Sequence, residues 1–256
     1  MGKIKIPTPV EPTIESELRW LEHFKKICIT YWYPKIADLS PETYIIDSEL
    51  TFKEQFHIAE GKFIDDAKNK VDNLIKEITK YSEKTGVPFF LRTGQTSAKH
   101  YWLKTCYVQD LKHLYNHIYE IMEFSMMVDL PANIWVVRKF LELDYLFKAF
   151  NGMPIAREFR FFVEGGKINH IQPYWPELSI KKPDDENWKT HLRNLSFMNE
   201  KDYSLTYQLA MVVAERFKDD IGFSVDVCRT KEGKWYVTDM APTDVSYKYD
   251  YKKEEK

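Results

Sequence analysis

The chain has 256 residues, of which 15% are aromatic and 30% charged, with only nine glycines and a formal charge of −2. That length buries an ample core without covalent staples, and the composition excludes a disordered or low-complexity protein. Near neutrality excludes a dominant phosphate-backbone footprint, so no nucleic-acid partner is expected.

Cys28, Cys106 and Cys228 are widely spaced and form no metal-ligand pattern, which points to buried, reduced thiols and a cytoplasmic location. No apolar run is long enough to span a bilayer. The opening "MGKIKIPTPVEP" has no apolar export core, and Ile6 breaks the myristoylation pattern that its Met-Gly start raises, so no membrane partner is expected.

After this proline-punctuated arm, Leu18, Leu21, Phe24 and Cys28 recur at helical spacing, and that helix should end near Tyr33-Pro34. A second helix starts at Asp65 or Asp66, shows Val71, Leu74, Ile75 and Ile78 as its apolar stripe, and closes at Gly86. The period then changes. "VPFFLRTGQTSAKH" reads as a short buried strand followed by a polar loop around Gly94, and a further helix is expected from Tyr107 to Met127. Past Pro131 the character is that of strands: "NIWVVRKFLEL", a hairpin from Met153 to Ile171 with Gly165-Gly166 at its tip, and the pair "GFSVDVCRT" and "KWYVTDMA". A helix from Leu205 to Asp220 separates the last two hairpins, and Pro176 to Lys201 reads as a long loop. The fold class is therefore α+β, with a helix-rich lobe over 1–130 and a strand-rich lobe over 131–256.

Several of these strands carry charges that a core would not choose. In "EFRFF", Glu158, Arg160 and Phe162 share one face, and a two-residue glycine turn places Arg160 opposite Ile171 and Phe162 opposite Asn169. Taken alone, this hairpin also fits a solvated sheet face with a neighbouring ion pair. Asp226 and Asp239 interrupt apolar strands; an even loop between them puts both carboxylates on one face, and a three- or five-residue loop puts them on opposite faces. Paired carboxylates repel unless a cation lies between them, and an oxygen-only pair favours Mg²⁺. Arg138 and Lys139 alternate faces within "WVVRKF", a pattern that also fits a charged edge strand. Arg92 ends its strand ahead of Thr93, Thr96, Ser97 and Lys99, which are potential anion donors.

In this order the pieces resemble the ATP-grasp fold, in particular the branch that contains the eukaryotic initiation-factor-2 assembly chaperone. The segment "YWYPKI" is similar to an early Trp-Tyr-Pro segment of that branch, and "EFRFFV" with the two aspartate strands is the most specific part. The resemblance spans Tyr31 to Pro242. It implies two lobes whose antiparallel sheets enclose ATP, with Arg92 and Ser97 at the phosphates, Arg138 and Lys139 in the hinge strand, and Phe140 and Leu141 offering backbone to adenine. It also implies Glu158 in the nucleotide site, Arg160 and Lys99 at the terminal phosphate, and Asp226 and Asp239 as Mg²⁺ ligands. Ala241 departs from the pattern, standing where the family generally has asparagine. The activity implied is an ATP-dependent ligase that forms an acyl phosphate on an unknown carboxylate acceptor. The alternative is a non-catalytic, ATP-gated assembly factor with a protein partner.

Overall fold

The computed structural model describes residues 24–249, so Leu18, Leu21 and Ile6 lie outside the described residues. The first named helix, α1, spans Ile29–Ile36. Cys28 is extended (φ −70°, ψ 137°) and interrupts the helical path that the spacing predicts as continuous. Nor does α1 stop at Pro34. Ile29, Trp32 and Ile36 are fully buried along one side, and that packing outweighs the single hydrogen bond the proline cannot donate.

Four antiparallel strands form the first sheet in the order β1-β4-β2-β3: β1 Thr43–Asp47, β2 Phe89–Thr93, β3 Tyr107–Val108 and β4 Ile134–Lys139. Its outer face is covered by α2 (Phe52–Ala59), α3 (Ala67–Thr85) and α4 (Leu114–Met127). In α3 the predicted stripe is buried at Val71, Leu74 and Ile78, and Gly86 (φ +83°) closes the helix by donating to Ser82 O. Asp66 stands at the N-cap, but its carboxylate takes the Asn69 amide rather than a backbone N–H. Helix α4 begins seven residues later than expected. Tyr107 and Val108 pair with β2, and Asp110 then caps a 3₁₀ turn at Lys112 before α4 starts. Strand β4, which follows residue 130, lies between β1 and β2 of this sheet.

A small hairpin follows, β5 (Tyr145–Ala149) with β6 (Met153–Ala156). The second large sheet has the order β10-β9-β7-β8, with β7 Glu158–Glu164, β8 Lys167–Pro173, β9 Phe223–Arg229 and β10 Trp235–Pro242. The segment expected as a long loop contains α5 (Trp188–Ser196). Leu192 and Leu195 of α5 join Phe147, Phe150 and Trp175 in a third core around the small hairpin, and that burial is what a reading by charge and proline missed. Helix α6 (Glu200–Arg216), capped by Asn199 on Asp202 N, packs on the apolar face of the second sheet together with α1.

Two registers differ from expectation. Gly165 and Gly166 do form the two-residue turn, both at positive φ, but a bulge after Phe162 shifts the ladder, so Arg160 faces Gln172 and Phe162 faces His170. Between β9 and β10 the turn is odd, with Thr230 N donating to Lys234 O across Lys231–Gly233. A bulge between Val237 and Asp239 restores the parity, and Asp239 pairs directly with Asp226.

Candidate functional site

A cleft of about 760 Å³ lies where the first sheet, the second sheet and the small hairpin meet. Arg92, Ser97, Lys99, Arg138, Lys139, Phe140, Leu141, Glu158 and Asp239 all line it, and Arg160 and Asp226 stand immediately behind on the β7–β9 face. Its size suits a nucleotide-like small molecule.

The first sheet contributes cations because of strand alternation. Phe89 and Leu91 go into the helix-covered core, so Phe90 and Arg92 face the cleft, and Arg138 pairs with Phe90 from β4. Arg92 is 3% exposed; its Nε donates to Thr93 O at 3.0 Å and its Nη1 meets Asp239 Oδ1 at 2.9 Å. Arg138 donates from Nε to Thr43 Oγ1 (3.0 Å) and from Nη1 to Thr238 O (2.5 Å), while its Nη2 is buried with no hydrogen-bond partner among the described residues. Burial, with Arg92 close by, draws the Arg138 pKa down to about 10. A buried guanidinium with an unmatched donor beside a second buried guanidinium is a locus of unbalanced positive charge.

The second sheet contributes the acids. Asp226 and Asp239 are cross-strand partners, yet they do not face each other bare. Arg160 grips Asp226 bidentately, Nε to Oδ1 at 2.7 Å and Nη2 to Oδ2 at 2.9 Å, and Arg92 holds Asp239 from the other sheet. The expectation of two mutually repelling carboxylates is corrected on this point: each has its own arginine. Burial still pushes the Asp226 carboxyl up, Arg160 opposing and Asp239 adding to the rise. The Asp239 side chain is 40% exposed, and its Oδ2 takes no hydrogen bond among the described residues.

Between these groups lies Glu158. Its carboxylate has no hydrogen bond or ion pair among the described residues, and burial raises its pKa to about 7, Lys99 opposing and Asp226 reinforcing the rise. Lys99 donates to Tyr174 Oη at 2.7 Å and sits 4.1 Å above the Tyr174 ring. Burial works against its charge, but Tyr174, Glu158 and Asp226 hold its pKa above the ordinary lysine value. Arg160 also stacks on Tyr174, at 4.8 Å. The ring thus separates two cations and steadies both. Sequence reasoning missed Tyr174; its one signal is an aromatic residue directly beyond the end of β8.

The donor set answers which groups fit here. Among the described residues no group of three or more metal-ligating side chains occurs. Two paired carboxylates are too few for a cation held by protein alone, but they suit Mg²⁺, which keeps waters and shares its ligands between one or two carboxylates and phosphate oxygens. The orphaned Nη2 of Arg138 fits a phosphate in the same way.

No helix of the described residues is long and apolar enough to cross a membrane. No curated protein matches the sequence. Among solved structures, C-terminally truncated Cdc123 from Schizosaccharomyces pombe is 14% identical with a TM-score of 0.53, covering 86% of this chain and 85% of that one. Cdc123 from the same organism gives 13% identity and a TM-score of 0.51 over 86% and 85% of the two chains. D-alanine–D-alanine ligase from Bacillus anthracis complexed with ATP gives 12% identity and a TM-score of 0.49, over 93% of this chain and 66% of the ligase. At such identities the likeness to the Cdc123 structures is one of fold. Residues 81–255, more than half of the sequence, match the model of an ATP-grasp domain family, the third family of its clade, and the chain belongs to that ATP-grasp family.

Proposed function

We propose that the cleft binds Mg-ATP and that the protein is an ATP-dependent ligase acting on a carboxylate acceptor. The observation that carries this reading is the unbalanced pair Arg92 and Arg138, buried in the cleft wall with the Arg138 Nη2 unpartnered. Arg92, Arg138 and Ser97 would take the inner phosphates, with Lys139, Phe140 and Leu141 at the purine end. Arg160 and Lys99 would address the terminal phosphate, where bidentate and point-charge cations neutralise the charge that spreads in transfer. An acceptor carboxylate oxygen attacks the terminal phosphorus, the bond to the bridging oxygen of ADP breaks, and the acyl phosphate formed loses inorganic phosphate to an incoming nucleophile. Asp226 and Asp239 would hold Mg²⁺, which supplies charge neutralisation of the phosphates. Three buried free cysteines support a cytoplasmic setting.

A second reading rests on Ala241, whose side chain offers no ligand next to the aspartate pair. Here the nucleotide would gate assembly with a protein partner, without turnover. Thermal unfolding tests the shared core of both readings: Mg-ATP at a hundredfold excess over its dissociation constant should stabilise by about 2.7 kcal/mol, and ATP with EDTA by far less. No shift with any nucleotide refutes both. ADP release in the presence of carboxylate acceptors then favours the ligase, and binding without release favours the assembly factor.

A further inference from the structure

The last described residues cross the polar face of the second sheet. Ser246 is extended (φ −99°, ψ 134°), and its hydroxyl meets Ser224 Oγ at 2.7 Å. Beyond it Gln172, only 1% exposed, binds main chain with both ends of its amide. Nε2 donates to Tyr247 O at 3.2 Å, and Oε1 accepts from Tyr249 N at 2.9 Å. The same Tyr247 carbonyl accepts from Arg160 Nη1 at 3.3 Å. Gln172 stands opposite Arg160 in the β7–β8 ladder, so amide and guanidinium lie side by side.

An amide that donates to the carbonyl of one residue and accepts from the N–H two residues on reproduces the hydrogen-bonding edge of a β-strand. It recognises extended backbone whatever the side chains. Burial fixes the Gln172 amide in that orientation, and Arg160 links the groove to the phosphate end of the cleft. We propose that this is a peptide-backbone subsite, filled here by the chain's own Ser246–Tyr249, and that the acceptor of the ligase is an extended peptide whose reacting carboxyl lies at Arg160. The proposal rests on the placement of Arg160 at the terminal phosphate. Residues 246–249 then act as a tethered competitor, which an acceptor displaces before it can reach the phosphate.

The test uses the full chain, saturating ADP and a fluorescein-labelled peptide DVSYKYDYK, which copies residues 244–252, with binding read by anisotropy. Tyr249→Pro removes the N–H given to Gln172 and loosens the tethered segment while leaving Gln172 and Arg160 intact. Gln172→Met, close in volume, loosens the same segment but destroys the amide. The peptide should bind Tyr249→Pro at least about tenfold more tightly than the parent, because the competitor in cis is weakened. It should bind Gln172→Met no better than the parent, and the peptide DVSYKPDYK should fail on all three proteins. Equal binding to the two variants, or none to Tyr249→Pro, overturns the subsite. ADP affinity, measured on the same samples, reports separately: loss of ADP binding by the parent itself overturns the nucleotide reading, whereas retained ADP binding with no peptide binding overturns the peptide alone.

Discussion

Replacing Arg160 with alanine asks how much the second sheet depends on its own ion pair. The side chains of Arg160 and Asp226 are 14% and 5% exposed, and they are joined by two contacts of 2.7 and 2.9 Å, so solvent screens them little. Removing the guanidinium leaves the Asp226 carboxylate buried, without its bidentate partner and directly across from Asp239. Breaking one side of such a pair costs about 3 to 5 kcal/mol. For a chain of this size that corresponds to a fall of roughly 10 °C in Tm. Since burial already raises the Asp226 pKa with Arg160 present, the variant should bind a proton there more readily. Part of the loss should therefore disappear on acidification, because protonation removes the unpaired charge. Removing both charges, as Arg160→Met with Asp226→Asn, should restore most of the stability at neutral pH. Urea unfolding at pH 5 and pH 8 measures all three quantities. A loss under about 1 kcal/mol, equal at both pH values, would match an exposed pair and refute the reasoning.

Glu158 makes a pH-dependent contribution of definite sign. Its folded pKa of about 7 exceeds the ordinary 4.5, so the folded state holds the proton more tightly; that stabilisation is complete below 4.5 and is lost as pH rises through about 7. Glu158→Gln should flatten the fall, as followed by Tm against pH. Asp239→Asn should cost less than about 1 kcal/mol in the nucleotide-free protein, because its partner is shared with solvent at 40% exposure, yet abolish the Mg²⁺-dependent part of the ATP thermal shift. Gly94→Ala would put a Cβ 2.6 Å from Cys28 Sγ and 3.1 Å from Ile134 Cβ, and should destabilise by about 1–3 kcal/mol in chemical denaturation.

Much of this architecture can be read from residue periodicity, because apolar stripes such as Val71, Leu74 and Ile78 are dictated locally. The charged strand positions are also legible: Arg92, Arg138, Glu158, Arg160, Asp226 and Asp239 do converge on one cleft. What escapes is non-local. Register across β9–β10 depends on an odd turn and a bulge whose effects on side-chain parity cancel, and neither is visible in the spacing of the aspartates. The partition of charge escapes for the same reason, since Arg92 meets Asp239 from a different sheet. Strand β1 has no comparable local signal, as its five residues gain their stability from β4, ninety residues away in the chain. Tyr174 lies just past the end of β8, where alternation ceases to predict a facing direction.

The bulge in β10 has a consequence for how this protein can vary by descent. Thr238 is one residue more than the ladder requires: Val237 pairs with Val227 and Asp239 with Asp226, leaving Thr238 unmatched. A chain lacking that residue would still set the two aspartates opposite each other. It would lack the Thr238 carbonyl, which Arg138 holds across the interval between the sheets. Substitutions at 238 should accordingly be neutral in this respect, the contact being to main chain, whereas a deletion of one residue would unfasten the two halves without disturbing the acidic pair. Among family members, the spacing between the residues equivalent to Trp235 and Asp239 thus separates chains that carry this fastening from chains that do not.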